Sequence, residues 1–167
     1  YAGLLALNKQ YGLKYLYLVP STLYGSSYHE DGRQMHFIYD LIRKILRGKL
    51  YGDQVSLWGD GYQKRELIHV EDFVDVMLFL NKNIENTIVN IGAGQEYPIR
   101  HFAKLIAEKV GFNHNAIHYD TTKYVGAKSK CLATDKLMGY MPELSQKPLD
   151  KGLAEVIDWF QGKEELL

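Results

Sequence analysis

An α/β fold, with part of a parallel sheet and a smaller α/β lobe, is what this sequence predicts. Two observations carry the prediction. Short β-prone runs alternate with amphipathic helical patterns along the whole chain, the arrangement that lays helices on the faces of a sheet. The clearest buried run, Tyr15-Leu16-Tyr17-Leu18-Val19, is followed at once by Pro20-Ser21-Thr22, the form of a short buried strand bounded by turn residues. At 167 residues the chain is long enough for one core or for a large part of a bigger domain.

Taken in order, Tyr1 to Tyr11 reads as the end of a helix, with Leu4, Leu7 and Tyr11 at helical spacing and Gly12 suited to the C-cap. The strand 15–19 follows, then a polar loop from Ser26 to Gly32. Gln34 to Leu46 predicts an amphipathic helix, because Ile38, Leu41, Ile42, Ile45 and Leu46 recur on one face. His36, Asp40 and Arg43 share the opposite, polar face, a spacing that aims an imidazole and a guanidinium at one cleft. Gln54 to Trp58 is β-prone, Gly59-Asp60-Gly61 is turn chemistry, and Arg65 to Val70 alternates as a half-buried strand does. Glu71, Asp72 and Asp75 load the next helix start with the charge its dipole favours. Phe73 to Leu80 is apolar on nearly every face, which predicts a buried helix. Thr87 to Gly94 is a strand ending in glycines. Gly92-Ala93-Gly94 is not a dinucleotide loop: there is no third glycine at the required spacing, and Tyr97-Pro98 is extended before the next helix. Ile99 to Val110 is amphipathic and Gly111 ends it. Ala116 to Tyr119 is a short strand, Asp135 to Gly139 a short helix, and Pro148 opens a last helix with Leu149, Leu153, Val156, Ile157 and Phe160 as its core stripe.

The totals exclude several classes. The formal net charge is zero, so nothing points to a nucleic-acid or membrane surface. No apolar run has the length of a membrane span. Cys131 is the only cysteine, so an internal disulfide or thiolate metal cluster is out, a reducing cytoplasm is the expected setting, and the thiol is expected to act as a small buried hydrophobe. His114 and His118 lack convergent Asp, Glu or Cys partners, so no metal site is expected. The opening at Tyr1, helical and without Met or cap, reads as a fragment boundary.

The run Trp58-Gly59-Asp60-Gly61-Tyr62-Gln63-Lys64-Arg65-Glu66-Leu67-Ile68-His69-Val70-Glu71-Asp72-Phe73 has the form W-G-x-G-x-x-x-R-E-x-x-H-V-x-D followed by an apolar residue. It resembles the nucleotide-sugar epimerase/dehydratase/reductase group, the extended short-chain dehydrogenases with a Rossmann-like fold, and within it the GDP-L-fucose synthase branch. Further matches run from about Leu7 to Phe160. Pro20 to Gly25 is similar to a P-x-N-x-Y-G turn, with Thr22 in place of the asparagine. Met35 to Lys44 is similar to S-H-x-I-P-x-L-I-R-K, with Tyr39 in place of the proline. Lys130 falls on the lysine of a P-R-K-x-L pattern.

The resemblance implies that Arg65 holds the diphosphate of a sugar nucleotide, a task a planar, permanently charged guanidinium suits. It implies that His36 is one acid/base group of an epimerisation, within reach of neutral pH. Thr22 stands where substrate is touched, Pro20, Ser21 and Leu23 where the nicotinamide pocket is lined, and Lys130 where the diphosphate is approached. Arg43 is added to the substrate residues from its place beside His36. Trp58 is either a nucleotide contact or a buried structural tryptophan. The reaction implied is 3,5-epimerisation and NADPH-dependent 4-reduction of a GDP-4-keto-6-deoxy-hexose, with NADP or NAD as cofactor, a GDP-linked sugar as partner and a homodimer as the assembly. Residues 1–167 would then be one fragment, the end of the Rossmann-like sheet interleaved with the substrate lobe. The Gly-rich dinucleotide half and the Tyr-x-x-x-Lys pair would lie before residue 1, leaving the fragment alone inactive. Another nucleotide-sugar epimerase, dehydratase or decarboxylase, or a catalytically silent nucleotide-sugar-binding protein, fits the same residues.

Overall fold

The computed structural model describes residues 1–28, 35–163 and 166–167. Its elements are α1 (Ala2–Tyr11), β1 (Leu16–Pro20), β2 (Thr22–Tyr24), α2 (Phe37–Tyr51), β3 (Ser56–Trp58), β4 (Lys64–His69), α3 (Val70–Asn83), β5 (Thr87–Ile91), β6 (Glu96–Pro98), α4 (Ile99–Val110), β7 (His118–Asp120), α5 (Asp135–Tyr140) and α6 (Leu149–Gln161). A single 3-10 turn, His114–Ala116, precedes β7. The α/β expectation holds: β1 pairs with β5 and β3 with β7, both in parallel, and a further sheet has the order β2-β4-β6.

The chain forms two compact units, each built from three separate stretches. One comprises Tyr1–Leu23, Glu66–Gln95 and Cys131–Gln146; the other comprises Tyr24–Arg65, Glu96–Lys130 and Lys147–Leu167.

In the first unit, β1 lies along β5 with Leu16 opposite Thr87 and Pro20 opposite Ile91. Ile68, Val76, Leu80, Val89, Ile91 and Leu137 are its buried core, with Leu16, Leu18 and Phe73 packed against it. β1 is half-buried from Leu16 to Val19 and exposed at Pro20, less covered than its apolar run predicts; Leu16 and Leu18 are the residues that pack on that core. Gly12 caps α1 in the left-handed region with φ +67°, and its N–H donates to the Asn8 carbonyl. The buried helix expected around Phe73–Leu80 is α3, and it is only partly buried: Val76 and Leu80 point inward, while Val74, Leu78 and Phe79 are exposed. Its apolar residues surround the axis, but the unit's strands cover one side.

The alternation expected for residues 65–70 gives way to continuous burial from Glu66 to His69. Two polar residues stand there, and each accepts at least one backbone amide N–H. The Glu66 carboxylate, 2% exposed, accepts the Gly94 N–H at 2.7 Å and the Leu132 N–H at 2.9 Å. His69 Nδ1 accepts the Glu71 N–H at the start of α3. A Cβ on Gly92 would lie 2.5 Å from Glu66 Oε1, so this glycine leaves room for the protein's own carboxylate. Cys131 is exposed rather than buried. It belongs to an irregular run whose inward contact is made by a backbone amide, that of Leu132.

In the second unit, α4 packs against both α2 and α6. The three stripes are covered: Ile38, Leu41, Ile42, Ile45 and Leu46 on α2, Ile99, Phe102, Ala103 and Ile106 on α4, and Leu153, Val156, Ile157 and Phe160 on α6 are all buried, while Val110 and Leu149, at the helix ends, are only half-buried. α2 starts at Phe37 and ends at Tyr51, later at both ends than expected. Gln34 lies outside the described residues, and so does most of the loop expected up to Gly32. His36 has extended backbone, φ −60° and ψ 152°, and stands before the first helical residue. At the other end the helix continues through Gly48, where a Cβ would meet Val55 Cγ2 at 2.5 Å, and stops at Gly52 with φ +75°. Tyr39 is buried; its hydroxyl donates to the Gly25 carbonyl at 2.8 Å and accepts the Gly25 N–H at 3.0 Å. Its ring stacks on Tyr28 with centroids 3.8 Å apart. Burial pushes the Tyr39 phenol above its ordinary pKa. The strand expected at 116–119 is β7, displaced toward Asp120 by the preceding 3-10 turn.

Candidate functional site

The second unit carries a cavity of about 640 Å³ lined by the polar face of α2, the end of β3, the start of β4 and the loop after β7. Arg43, Trp58 and Arg65, three of the residues expected at a substrate site, line it together. Asp40, Lys44, Gln63 and Tyr124 line it as well. His36 and Lys130 do not. His36 is an exposed residue at the N-terminal boundary of α2, with its N–H on the Tyr28 hydroxyl at 3.1 Å. The helical-face argument that joined it to Arg43 fails, because its backbone is extended. Lys130 is exposed and its amide donates to Glu96 Oε2 at 3.1 Å. Pro20, Ser21, Thr22 and Leu23 belong to the first unit. There, Pro20 ends β1, the Ser21 N–H donates to the Ile91 carbonyl, and Ser21 Oγ is buried without a hydrogen-bond partner among the described residues.

Arg65 is the centre of the cavity's electrostatics. Its Nη1 donates to the carbonyls of Lys64 at 2.7 Å and Ala127 at 2.8 Å, and its Nη2 to that of Val125 at 3.3 Å. Three of the five guanidinium N–H groups are thus held by neutral backbone oxygens. No carboxylate pairs with Arg65 among the described residues, so its charge in the cavity is uncompensated. Arg43 differs: Asp40 accepts from Arg43 Nη2 at 3.3 Å and also pairs with Lys44 at 2.7 Å, so the α2 edge carries two cations on one anion. Arg43 Nε is buried without a hydrogen-bond partner among the described residues.

Trp58 is 59% exposed, which decides against a buried structural role. The turn between it and Arg65 is rigidly built. Gly59 and Gly61 adopt φ +77° and +76°, values that glycine takes without steric cost. Arg100 braces the turn: its Nε donates to the Asp60 carbonyl at 2.5 Å and its amide to that of Gly61 at 3.0 Å. The Arg100 guanidinium lies 3.8 Å from the Tyr119 ring centroid and 4.9 Å from that of Tyr62. Burial pushes the Tyr119 phenol upward in pKa, and Arg100 opposes part of that shift. Gln63 Nε2 donates to the Trp58 carbonyl at 3.1 Å.

A sequence reading reaches the motif residues here and does not single out others that line the cavity, Gln63 and Tyr124 among them. Gln63 is an unmarked position between two motif glycines and Arg65. Tyr124 is one of thirteen scattered tyrosines in a loop without periodicity, and only the fold brings it to the cavity.

The model of the NAD dependent epimerase/dehydratase family matches residues 2–92. The chain belongs to that family. It is 34% identical to GDP-L-fucose synthase 1 of Arabidopsis thaliana over 161 residues, which cover 93% of this chain and 48% of that protein. The chain thus spans about half the length of the curated relatives it matches. Among solved structures it is similar to the UDP-glucose 4-epimerase of Thermotoga maritima with UDP-glucose, at a TM-score of 0.84 and 24% identity, covering 98% of this chain and 51% of that one. It is also similar to the GDP-L-fucose synthetase of Naegleria fowleri bound to NADP, at a TM-score of 0.79 and 20% identity, covering 89% of this chain and 47% of that one. These structures share the extended Rossmann-like α/β fold with the present chain. No helix among the described residues is long and apolar enough to cross a membrane.

Proposed function

We propose that this chain supplies the sugar-nucleotide-binding part of an epimerase/reductase of the GDP-L-fucose synthase type. The observation that carries the reading is Arg65: a half-buried guanidinium with no acidic partner among the described residues, its orientation fixed by three carbonyls, beside an exposed tryptophan in one cavity. An oriented, uncompensated guanidinium is suited to a diphosphate, and an exposed indole to a planar ring. Arg43 and Lys44 add positive charge at the α2 edge. Lys130 is a second diphosphate group in this reading. Binding energy gathered at the diphosphate positions the sugar for chemistry elsewhere.

His36 is the acid/base group that exchanges a proton on carbon beside the sugar ketone; the residue is exposed, with its imidazole edge-on to Tyr28. Thr22 touches the sugar through its hydroxyl. Pro20, Ser21 and Leu23 line the nicotinamide end of an NADP or NAD site; the unpartnered buried Ser21 Oγ at the carboxyl end of a parallel strand supports that fit. The cofactor, when bound, supplies the hydride that reduces the ketone. The substrate is a GDP-linked 4-keto-6-deoxy sugar, the assembly a homodimer and the setting the cytoplasm; the apolar residues exposed on α1 and α3 support an assembled form.

Calorimetric titration with GDP and with inorganic pyrophosphate tests the cavity. Both should bind, and Arg65→Gln should weaken both by at least about tenfold, the loss of a charge-assisted pair. Equal binding by the variant would remove the diphosphate from this cavity. In the enzyme that carries this chain, His36→Gln should slow proton exchange from the ketosugar by about 100- to 10,000-fold with GDP affinity unchanged; undiminished exchange would take the acid/base role from His36.

A further inference from the structure

The loop from Thr121 to Ser129 is tied down along its whole length. At its start Thr122 donates through both its amide and its hydroxyl to Asp120 Oδ1, at 3.0 and 2.5 Å. These bonds hold the Asp120 carboxyl below the usual carboxylate range. At its end Ser129 Oγ donates to Glu96 Oε2 at 2.7 Å, and the Lys64 N–H donates to the Lys128 carbonyl at 2.8 Å. In its middle Arg65 grips the carbonyls of Val125 and Ala127. Val125 sits on Gly59, where a Cβ would come within 2.3 Å of its Cγ1. Between these anchors stands Tyr124, 85% exposed yet lining the same cavity as Trp58. No hydrogen bond or ring contact holds its side chain among the described residues.

A loop so fully anchored that it presents one free aromatic side chain beside a cavity has a geometric consequence. We propose that Tyr124 is a ligand-contact residue that packs on the planar base of a nucleoside diphosphate, as the second aromatic beside Trp58, and that Arg65 couples its placement to the anion. The inference rests on the reading of this cavity as a diphosphate site and goes beyond it by assigning the base contact. Arg65 performs both tasks. The N–H groups given to Val125 and Ala127 fix the loop, and those that remain, Nε–H and one on Nη2, are left for phosphate oxygens. A bound anion therefore meets a guanidinium already oriented by the segment that carries Tyr124. A Tyr side chain is suited to this contact, since it offers a large, rigid face with few rotatable bonds.

The test is titration of the chain and of Tyr124→Ala, Tyr124→Phe and Arg65→Gln with GDP and with pyrophosphate, which has no base. Tyr124→Ala should weaken GDP about tenfold, the scale of one base-aromatic stack, and leave pyrophosphate unchanged. Tyr124→Phe should bind GDP as the parent does. If Arg65→Gln loses both ligands while Tyr124→Ala keeps full GDP affinity, the base contact is overturned and the diphosphate site stands. If Tyr124→Ala weakens GDP and pyrophosphate equally, Tyr124 acts only on the loop, and the proposal is overturned in the same way. If the parent chain binds neither ligand, the diphosphate reading and this inference fall together.

Discussion

The two units treat their helices in opposite ways. In the unit that holds the cavity, α2, α4 and α6 each bury an apolar stripe of four or more side chains. In the other unit, α1 buries none and α3 only Val76 and Leu80, although α3 is the more uniformly apolar sequence. Leu5, Leu7 and Tyr11 on α1, with Val74, Leu78 and Phe79 on α3, remain exposed. The periodic stripes of α2, α4 and α6 find their partners inside their own unit, whereas Leu7 and Tyr11 of α1, also at helical spacing, stay exposed. A helix apolar on all sides asks for more than one neighbour. The lesson is that uniform apolarity is a statement about how many surfaces a helix needs, and the described residues give α3 fewer than that.

Three substitutions sharpen the contrast. The largest effect is expected in the well-covered unit. Phe102 is fully buried on α4, with Phe37 5.6 Å away edge-on, and Phe102→Ala should cost about 3–5 kcal/mol. Both tryptophans, Trp58 and Trp159, lie in that unit, so the urea midpoint followed by tryptophan emission reads it directly. A loss below 1 kcal/mol, on a scale where core aromatics cost several, would mean that this core is not the tightly packed one. A middle-sized effect belongs to the other unit's polar interior. Glu66→Ala removes the acceptor for two backbone amides and should cost about 2–3 kcal/mol. Faster amide exchange at Gly94 and Leu132 would mark it, and unchanged exchange there would show the carboxylate to be incidental. The smallest effect is at Leu78, half exposed on α3. Leu78→Lys should change stability by no more than about 0.5 kcal/mol while lowering self-association in sedimentation. A large loss of stability would place Leu78 in a core after all.

Much of the fold was legible because its signals are local. Gly12 and Gly111 stop their helices with positive φ, and α4 begins at Ile99 and ends at Val110, where periodicity put it. The boundaries of α2 were not legible. Gly48 looks like a breaker, and only the nearness of Val55 explains why a glycine is kept inside the helix. Burial of Glu66 was equally hidden, since its two amide donors are 28 and 66 residues further along the chain. At the site, Arg43, Trp58 and Arg65, which line one cavity, were readable only as three separate residues, from a motif and from helix spacing. Tyr124 was not, because its position depends on a loop fixed by hydrogen bonds from Arg65, 60 or more residues away in sequence. His36 was misplaced on a helical face because the first helical residue is Phe37; an extended residue obeys no 100° rotation.

Tyr39 has one more consequence, for how this sequence can drift. Its hydroxyl is at once donor and acceptor for the two backbone groups of Gly25, and its ring lies against Tyr28. Removing the hydroxyl leaves two main-chain groups without their partner, and removing the ring leaves Tyr28 without its stack. Positions 25, 28 and 39 are therefore physically linked: a change at 39 is felt at the Gly25 backbone and at the Tyr28 ring together.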